Sequence, residues 1–294
     1  MLLLLLFLSL FTLSASQQHC HPDDQSALLA FKNSFSTPNP FPSWDPVFDC
    51  CDWYGVTCNE TTNYVIALDI ISDDLNGTIP SSLPNLRHLE NLRLHKIPNL
   101  VGEIPQSLSK LPHLRYLVIS WTNISGPIPD FLAHLKNPLP FLRAIDFSRN
   151  QLTGPIPESY SLLSGEFPAL VLSHNKLSGE IPASLSNVNF SSVDISRNNF
   201  SGDASVFNNL EFDFSRVRFM ESLDVLDVSH NKIYGNIPKQ ITEAVYLQQL
   251  NVSYNRLCGK IPSGWHLRYN KEGWDNSSFV HNRCLCGVPL DPCK

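Results

Sequence analysis

Three aspartates, Asp146, Asp194 and Asp227, fall at one position of a recurring pattern, and positioned carboxylates are common general acids and bases. Their setting argues against catalysis. Neighbouring strands of a parallel sheet lie about 4.8 Å apart, and Asp on alternate copies of a repeat reads as surface rather than as an acid and base pair. The ten histidines are scattered without zinc-ligand spacing, and no nucleophile motif, phosphate loop or cofactor fingerprint occurs. The expectation is therefore no catalytic residue, no metal and no cofactor. What remains are columns of polar and aromatic groups whose meaning depends on the elements that carry them.

Those elements repeat. Leu142 to Pro157, LRAIDFSRNQLTGPIP, has the form Leu-x-x-Ile-x-Phe-x-x-Asn-x-Leu-x-Gly-x-Ile-Pro. Copies close at Pro80, Pro105, Pro129, Pro157, Pro182, Pro238 and Pro262, with Ser205 in place of the proline in one more. Pro80 to Pro105 and Pro157 to Pro182 are 25 residues, and Pro105 to Pro129 and Pro238 to Pro262 are 24, which is leucine-rich repeat spacing. Alternation of apolar and polar residues around Leu68, Leu92, Leu117, Ile145, Leu170, Val193, Leu226 and Leu250 predicts short half-buried strands. The Asn that follows (Asn150, Asn175, Asn198, Asn231, Asn255) can satisfy backbone groups at a turn and stack from copy to copy. In the closing Leu-x-Gly-x-Ile-Pro the glycine and proline predict a turn that does not continue as a central strand. One copy cannot bury its apolar face alone, so the fold class is an α/β solenoid, a right-handed leucine-rich repeat superhelix with a concave parallel β-sheet.

A solenoid needs lids, and the chain divides accordingly. Residues 1–16 are an uncharged apolar run ending in small residues, read as a signal peptide because it is shorter than the roughly 20 residues needed to cross hydrocarbon. Residues 17–63 form an N-terminal cysteine-rich cap with a helix over its first part, 64–262 hold eight repeats plus a remnant near 206–222, and 263–294 form a C-terminal cysteine-rich cap. Two intervals are irregular. Pro129 to Pro157 spans 28 residues, with Asn137-Pro138-Leu139-Pro140 inserted, and Ser205 to Pro238 spans 33, as though a strand near Phe207 had been deleted.

All eight cysteines lie towards the two ends of the chain, as suits an oxidising compartment, and locality selects Cys20–Cys50, Cys51–Cys58, Cys258–Cys284 and Cys286–Cys293. Sequons at Asn59, Asn76, Asn123, Asn189, Asn199, Asn251 and Asn276 suit a secreted glycoprotein, although Asn251 falls on the concave face, where a glycan would obstruct a partner. A net charge of −6 argues against nucleic acid as a partner.

The repeat register names the exposed concave positions. Two residues past each core pair stand Ser72, Lys96, Trp121, Arg149, His174, Arg197, His230 and Tyr254; between the core residues stand Asp69, Arg93, Val118, Asp146, Val171, Asp194, Asp227 and Asn251. A basic and aromatic ridge flanked by carboxylates is the composition of a protein-binding surface. The candidate contacts are Lys96, Val118, Trp121, Asp146, Arg149, His174, Asp194, Arg197, Asp227 and His230.

The cap and tail segments carry a more specific resemblance. Cys50-Cys51-Asp52-Trp53-Tyr54-Gly55-Val56-Thr57-Cys58, Leu250-Asn251-Val252-Ser253-Tyr254-Asn255-Arg256-Leu257-Cys258-Gly259 and His281-Asn282-Arg283-Cys284-Leu285-Cys286-Gly287, together with the Gly-x-Ile-Pro ending, resemble plant polygalacturonase-inhibiting proteins. The resemblance implies a cell-wall protein with roughly ten repeats, whose concave face binds a fungal endopolygalacturonase; a monomer is expected, with pectin as a further candidate partner. The competing readings are a non-inhibitory module that recognises a receptor, a peptide or a pectin fragment, and an ice-binding array.

Overall fold

The computed structural model describes residues 20–135, 142–163, 168–203, 222–266 and 274–294. The proposed signal peptide, the insert at 137–140 and the remnant from 206 to 221 lie outside them. Eight parallel strands form the concave face: Val65–Ile71, Asn91–Gly102, Tyr116–Pro127, Ala144–Asp146, Ala169–Val171, Ser192–Asp194, Val225–Asp227 and Gln249–Asn251. Their core leucines and isoleucines, such as Leu92, Leu117 and Leu170, are fully buried. At about 1.5–3 kcal/mol for each such side chain, this continuous apolar column is the main stabilising term.

The closing segment of each repeat departs from the sequence expectation. Rather than only turning, it forms a second run of short parallel strands, including Gln151–Gly154, Lys176–Glu180, Asn199–Asp203, Lys232–Gly235 and Arg256–Lys260. Its glycine takes a left-handed φ, +83° at Gly126, where a Cβ would come within 2.7 Å of the Glu103 side chain. The strand ends before Ile-Pro, where the proline lacks a donor for the ladder. At Pro105, Pro129, Pro157, Pro182 and Pro238 the proline instead caps a 3-10 turn on the convex side, such as Gln106–Lys110 after Pro105, Glu158–Leu162 after Pro157 and Lys239–Glu243 after Pro238. These convex turns are thus 3-10, and an α-helix, α1, Pro22–Lys32, stands at the N-terminal end of the described residues.

Helix α1 closes one end, burying Ala27, Leu28 and Phe31. Phe31, Phe41, Trp44 and Trp53 pack ring on ring beneath it, with Trp44 4.3 Å from Phe41 and 5.5 Å from Trp53. Asp24 is buried too, because its Oδ2 accepts the Val65 N–H at 2.7 Å and so fastens the helix to the first concave strand. The disulfides are Cys20–Cys50, Cys51–Cys58, Cys258–Cys284 and Cys286–Cys293; three close loops within a cap, and Cys258–Cys284 ties the C-terminal cap to the last repeat. In the chain-entropy model each contributes about 2–4 kcal/mol.

The long irregular interval does not interrupt the sheet. Val193 pairs directly with Leu226 and Asp194 with Asp227, and the Arg197 N–H donates to the Ser229 carbonyl at 3.0 Å. Two repeats therefore meet across residues 204–221, and the concave face is continuous.

Candidate functional site

The geometry of the ridge is set by the backbone. Ser72, Lys96, Trp121, Arg149, His174, Arg197, His230 and Tyr254 all have φ between +53° and +57°. A non-glycine residue in this region costs about 1–2 kcal/mol, and a lattice of hydrogen bonds around the next residue offsets it. In the later repeats that residue is Asn, pointing inward. Asn198 Nδ2 donates to the carbonyls of Leu172 and Ile195 at 3.0 and 3.1 Å, while its Oδ1 accepts the Leu177 N–H at 3.0 Å. Asn175, Asn231 and Asn255 do the same one copy to the next. Thr122 takes this position in an earlier copy and bonds Asn150. Holding the αL residue between a strand and an inward Asn turns its side chain out of the concave face.

Side chains of the ridge stack along the solenoid. The Arg149 guanidinium lies 4.2 Å from the centre of the Trp121 ring and the Lys96 ammonium 5.6 Å, so the indole, 46% exposed, sits among cations. Such contacts contribute about 0.5–1 kcal/mol each at exposed sites. At the other end His230 stacks on Tyr254 at 4.2 Å, with the rings 16° from parallel. Burial, reinforced by Arg149 and Arg197 for His174 and by Arg197 for His230, holds both imidazoles below the usual histidine range. Arg197 is exposed between them.

The carboxylate row behaves differently from the sequence reading. Asp146, Asp194 and Asp227 are half-buried, and each uses one oxygen to accept the N–H of the serine two residues on: Ser148 at 2.9 Å, Ser196 at 3.0 Å, Ser229 at 2.9 Å. Asn251 makes the same bond to Ser253. One face of each carboxylate is thus committed to fixing the turn that carries the ridge. Val118 and Val171 leave their copies without this bond. Asp194 and Asp227 prove to be on adjacent strands rather than alternate ones, yet they lie on an open sheet with one oxygen of each tied to its own backbone, not facing each other across a cleft.

Two ridge members escaped the sequence reading. His95 bonds the Ser120 hydroxyl through Nδ1 at 2.8 Å and meets the Trp121 ring edge-on. His281, in the C-terminal cap, has φ +59° and stacks on Tyr254 at 4.2 Å. Its signal was in the chain, since His281-Asn282 repeats the dipeptides His174-Asn175 and His230-Asn231. Among the sequons, Asn76, Asn123, Asn199 and Asn276 are exposed and Asn59 and Asn189 half-buried, whereas the Asn251 amide donates to Asp227 at 3.3 Å. Among the described residues, Cys20, Asp49, Cys50 and Cys51 gather metal-type ligand atoms, but their sulfurs are bonded in disulfides. No helix of the described residues is long and apolar enough to cross a membrane.

Comparison with known proteins gives this geometry a context. The Leucine rich repeat N-terminal domain family matches residues 21–59, and the Leucine Rich Repeat family matches 113–135, 141–163, 169–188 and 246–267. A polygalacturonase inhibitor of Pyrus communis is 45% identical over 94% of this chain and 92% of its own length. Polygalacturonase inhibitor 2 of Arabidopsis thaliana is 43% identical over 100% of this chain and 98% of its own. Among solved structures, a plant ice-binding protein superposes with a TM-score of 0.64 at 33% identity, covering 94% of this chain and 99% of that one.

Proposed function

Since the chain belongs to the polygalacturonase-inhibitor family of plant leucine-rich repeat proteins, we propose that it acts outside the cell, in the wall, as a monomer that docks a fungal endopolygalacturonase on its concave ridge. It is a binding protein rather than an enzyme. The mechanism is occlusion: a rigid concave surface laid over the enzyme's cleft excludes pectin, while Lys96, Arg149 and Arg197 steer the encounter by charge. Trp121 and Tyr254, 46% and 45% exposed, supply the aromatic anchors that carry most of the energy in such interfaces. Val118 and His174 fill the positions between them, and Asp146, Asp194, Asp227 and His230 complete the polar surround. The observation that carries this reading is the direct pairing of Val193 with Leu226, which keeps the ridge unbroken where a repeat had looked truncated.

Pectin is the second partner this reading assigns, through the same cations. The test is the rate of polygalacturonate cleavage by a panel of fungal endopolygalacturonases, with and without the purified protein in excess. Inhibition of at least one enzyme, weakened by Arg149→Ala and by Arg197→Ala, is the expected result. A folded protein that slows none of them overturns the proposal.

A further inference from the structure

We infer that the docking face does not end with the last repeat, and that His281 of the C-terminal cap is a specificity-determining contact at its far end. This rests on the concave ridge being the docking face. The cap was expected to serve as a lid over the core, and Phe279, 1% exposed, does that. The residues that follow do something else. The Tyr254 N–H donates to the Val280 carbonyl at 3.0 Å and the Val252 N–H to the Ser278 carbonyl at 2.9 Å, so the cap continues the ladder by which every copy is tied to the next. Asn282 then takes the inward position. Its Nδ2 donates to the carbonyls of Val252 and Phe279 at 3.1 and 2.8 Å, and its Oδ1 accepts the Leu257 N–H at 3.0 Å, the same bonds that Asn198 makes. With Asn282 inward, His281 is held at φ +59° and turned outward, exposed, in line with the ridge.

A lid needs no such arrangement. It could end on any polar residue, yet here the backbone takes a conformation costly for histidine and aims the ring at the same face as Arg197 and His230. The result is a three-ring shelf, His230, Tyr254 and His281, with both faces of the tyrosine covered at 4.2 Å. Stacking fixes the three rings before a partner arrives, which lowers the ordering cost of binding. Because both faces of Tyr254 are occupied, what the tyrosine offers outward is its edge and hydroxyl, flanked by the two imidazoles, of which His230 uses Nδ1 on the Ser229 hydroxyl at 3.2 Å. Those edges, beside the Arg197 guanidinium, suit carboxylate and carbonyl oxygens on an acidic polypeptide surface of the partner enzyme.

The test compares His281→Ala, Arg149→Ala and a control on the convex side, His134→Ala, for binding to an endopolygalacturonase that the full-length protein inhibits, by surface plasmon resonance, with melting temperature read alongside. About tenfold weaker binding of His281→Ala at an unchanged melting temperature is expected, with partial recovery by His281→Gln, which keeps an edge donor. If Arg149→Ala weakens binding and His281→Ala does not, the ridge stops at Tyr254 and this inference is overturned while the docking face stands. If neither weakens it, or if no enzyme in the panel binds, the concave face is not the docking surface and both readings fall. If His281→Ala lowers the melting temperature, Lys or Arg at 281 supplies an N–H donor there instead, and an affinity unchanged across His, Lys, Arg and Ala overturns the contact.

Discussion

Replacing Asn231 by Ala tests how the two halves of the solenoid are joined. Asn231 is 9% exposed and reaches across the interval from 204 to 221: its Oδ1 accepts the Phe200 N–H at 3.0 Å and its Nδ2 donates to the carbonyls of Ile195 and Val228 at 3.1 Å each. The two carbonyls keep a second partner, Asn198 for Ile195 and Asn255 for Val228, so each loses one net hydrogen bond, about 1 kcal/mol. Phe200, fully buried, loses the side-chain acceptor of its N–H, which costs about 1–3 kcal/mol. The sum is about 3–5 kcal/mol, a large part of the stability of a typical domain. Because each copy touches only its neighbours, the loss is local to one junction, and urea unfolding with the disulfides intact should change from one transition to two. Asn231→Asp should be at least as damaging: it keeps the acceptor for Phe200 but sets a carboxylate oxygen against two carbonyls. A destabilisation below about 1 kcal/mol for Ala, or a tolerated Asp, would refute the view that this ladder couples the repeats across the interval.

Three further outcomes follow from the same bonds. Asp24→Asn keeps an acceptor for the Val65 N–H without the buried charge. Burial raises the Asp24 pKa, so the stability this group contributes is present in acid and lost as pH rises through its folded value, and the melting temperature of Asp24→Asn relative to the parent should climb over that range. Asp24→Ala, which leaves Val65 without its acceptor, should cost about 1–3 kcal/mol. His95, His174 and His230 are all held below the usual value of 6.5, chiefly by burial. A histidine with a lowered folded pKa contributes stability above its unfolded value and loses it as pH falls through the folded one; the melting temperature should drop between pH 7 and 5, less steeply in His174→Gln/His230→Gln, and an unchanged slope would contradict this. Ser72→Val places a β-branched residue at φ +56° and should destabilise by about 1–2 kcal/mol, whereas Ser72→Gly should be neutral or better in the same denaturation assay.

The strands around Leu68 to Leu250 were legible because alternation and a fixed period report burial directly. So were the ridge positions, which follow by counting from those strands. The second run of strands was not, since Leu-x-Gly-x carries turn residues and its pairing comes from the adjacent copy rather than from its own composition. The continuity across 204–221 was hidden for a related reason: the length of an interval says how much chain it holds, but not that Val193 and Leu226 are neighbours. Asp24 was not legible either: an acidic residue in a first helical turn suits the helix dipole wherever it points, and only the position of Val65 shows that it is a buried tie. The aspartate row was read as partner surface from its exposed register, while the N–H groups it accepts belong to a turn geometry that spacing does not reveal.

The left-handed backbone of the ridge has a consequence for how such a surface can vary. At nine positions from Ser72 to His281 the main chain is left-handed, held by the adjoining strands, in the later copies by the inward Asn, and before Arg149, Arg197 and His230 by an Asp. Ser, Lys, Trp, Arg, His and Tyr all occur there, and no Val, Ile or Thr does. The fold therefore behaves as a rack of interchangeable sockets that disfavours proline and side chains branched at Cβ. A lineage can rewrite what the surface binds one socket at a time while the rack stays intact, and a designer can draw a library from the same restricted alphabet.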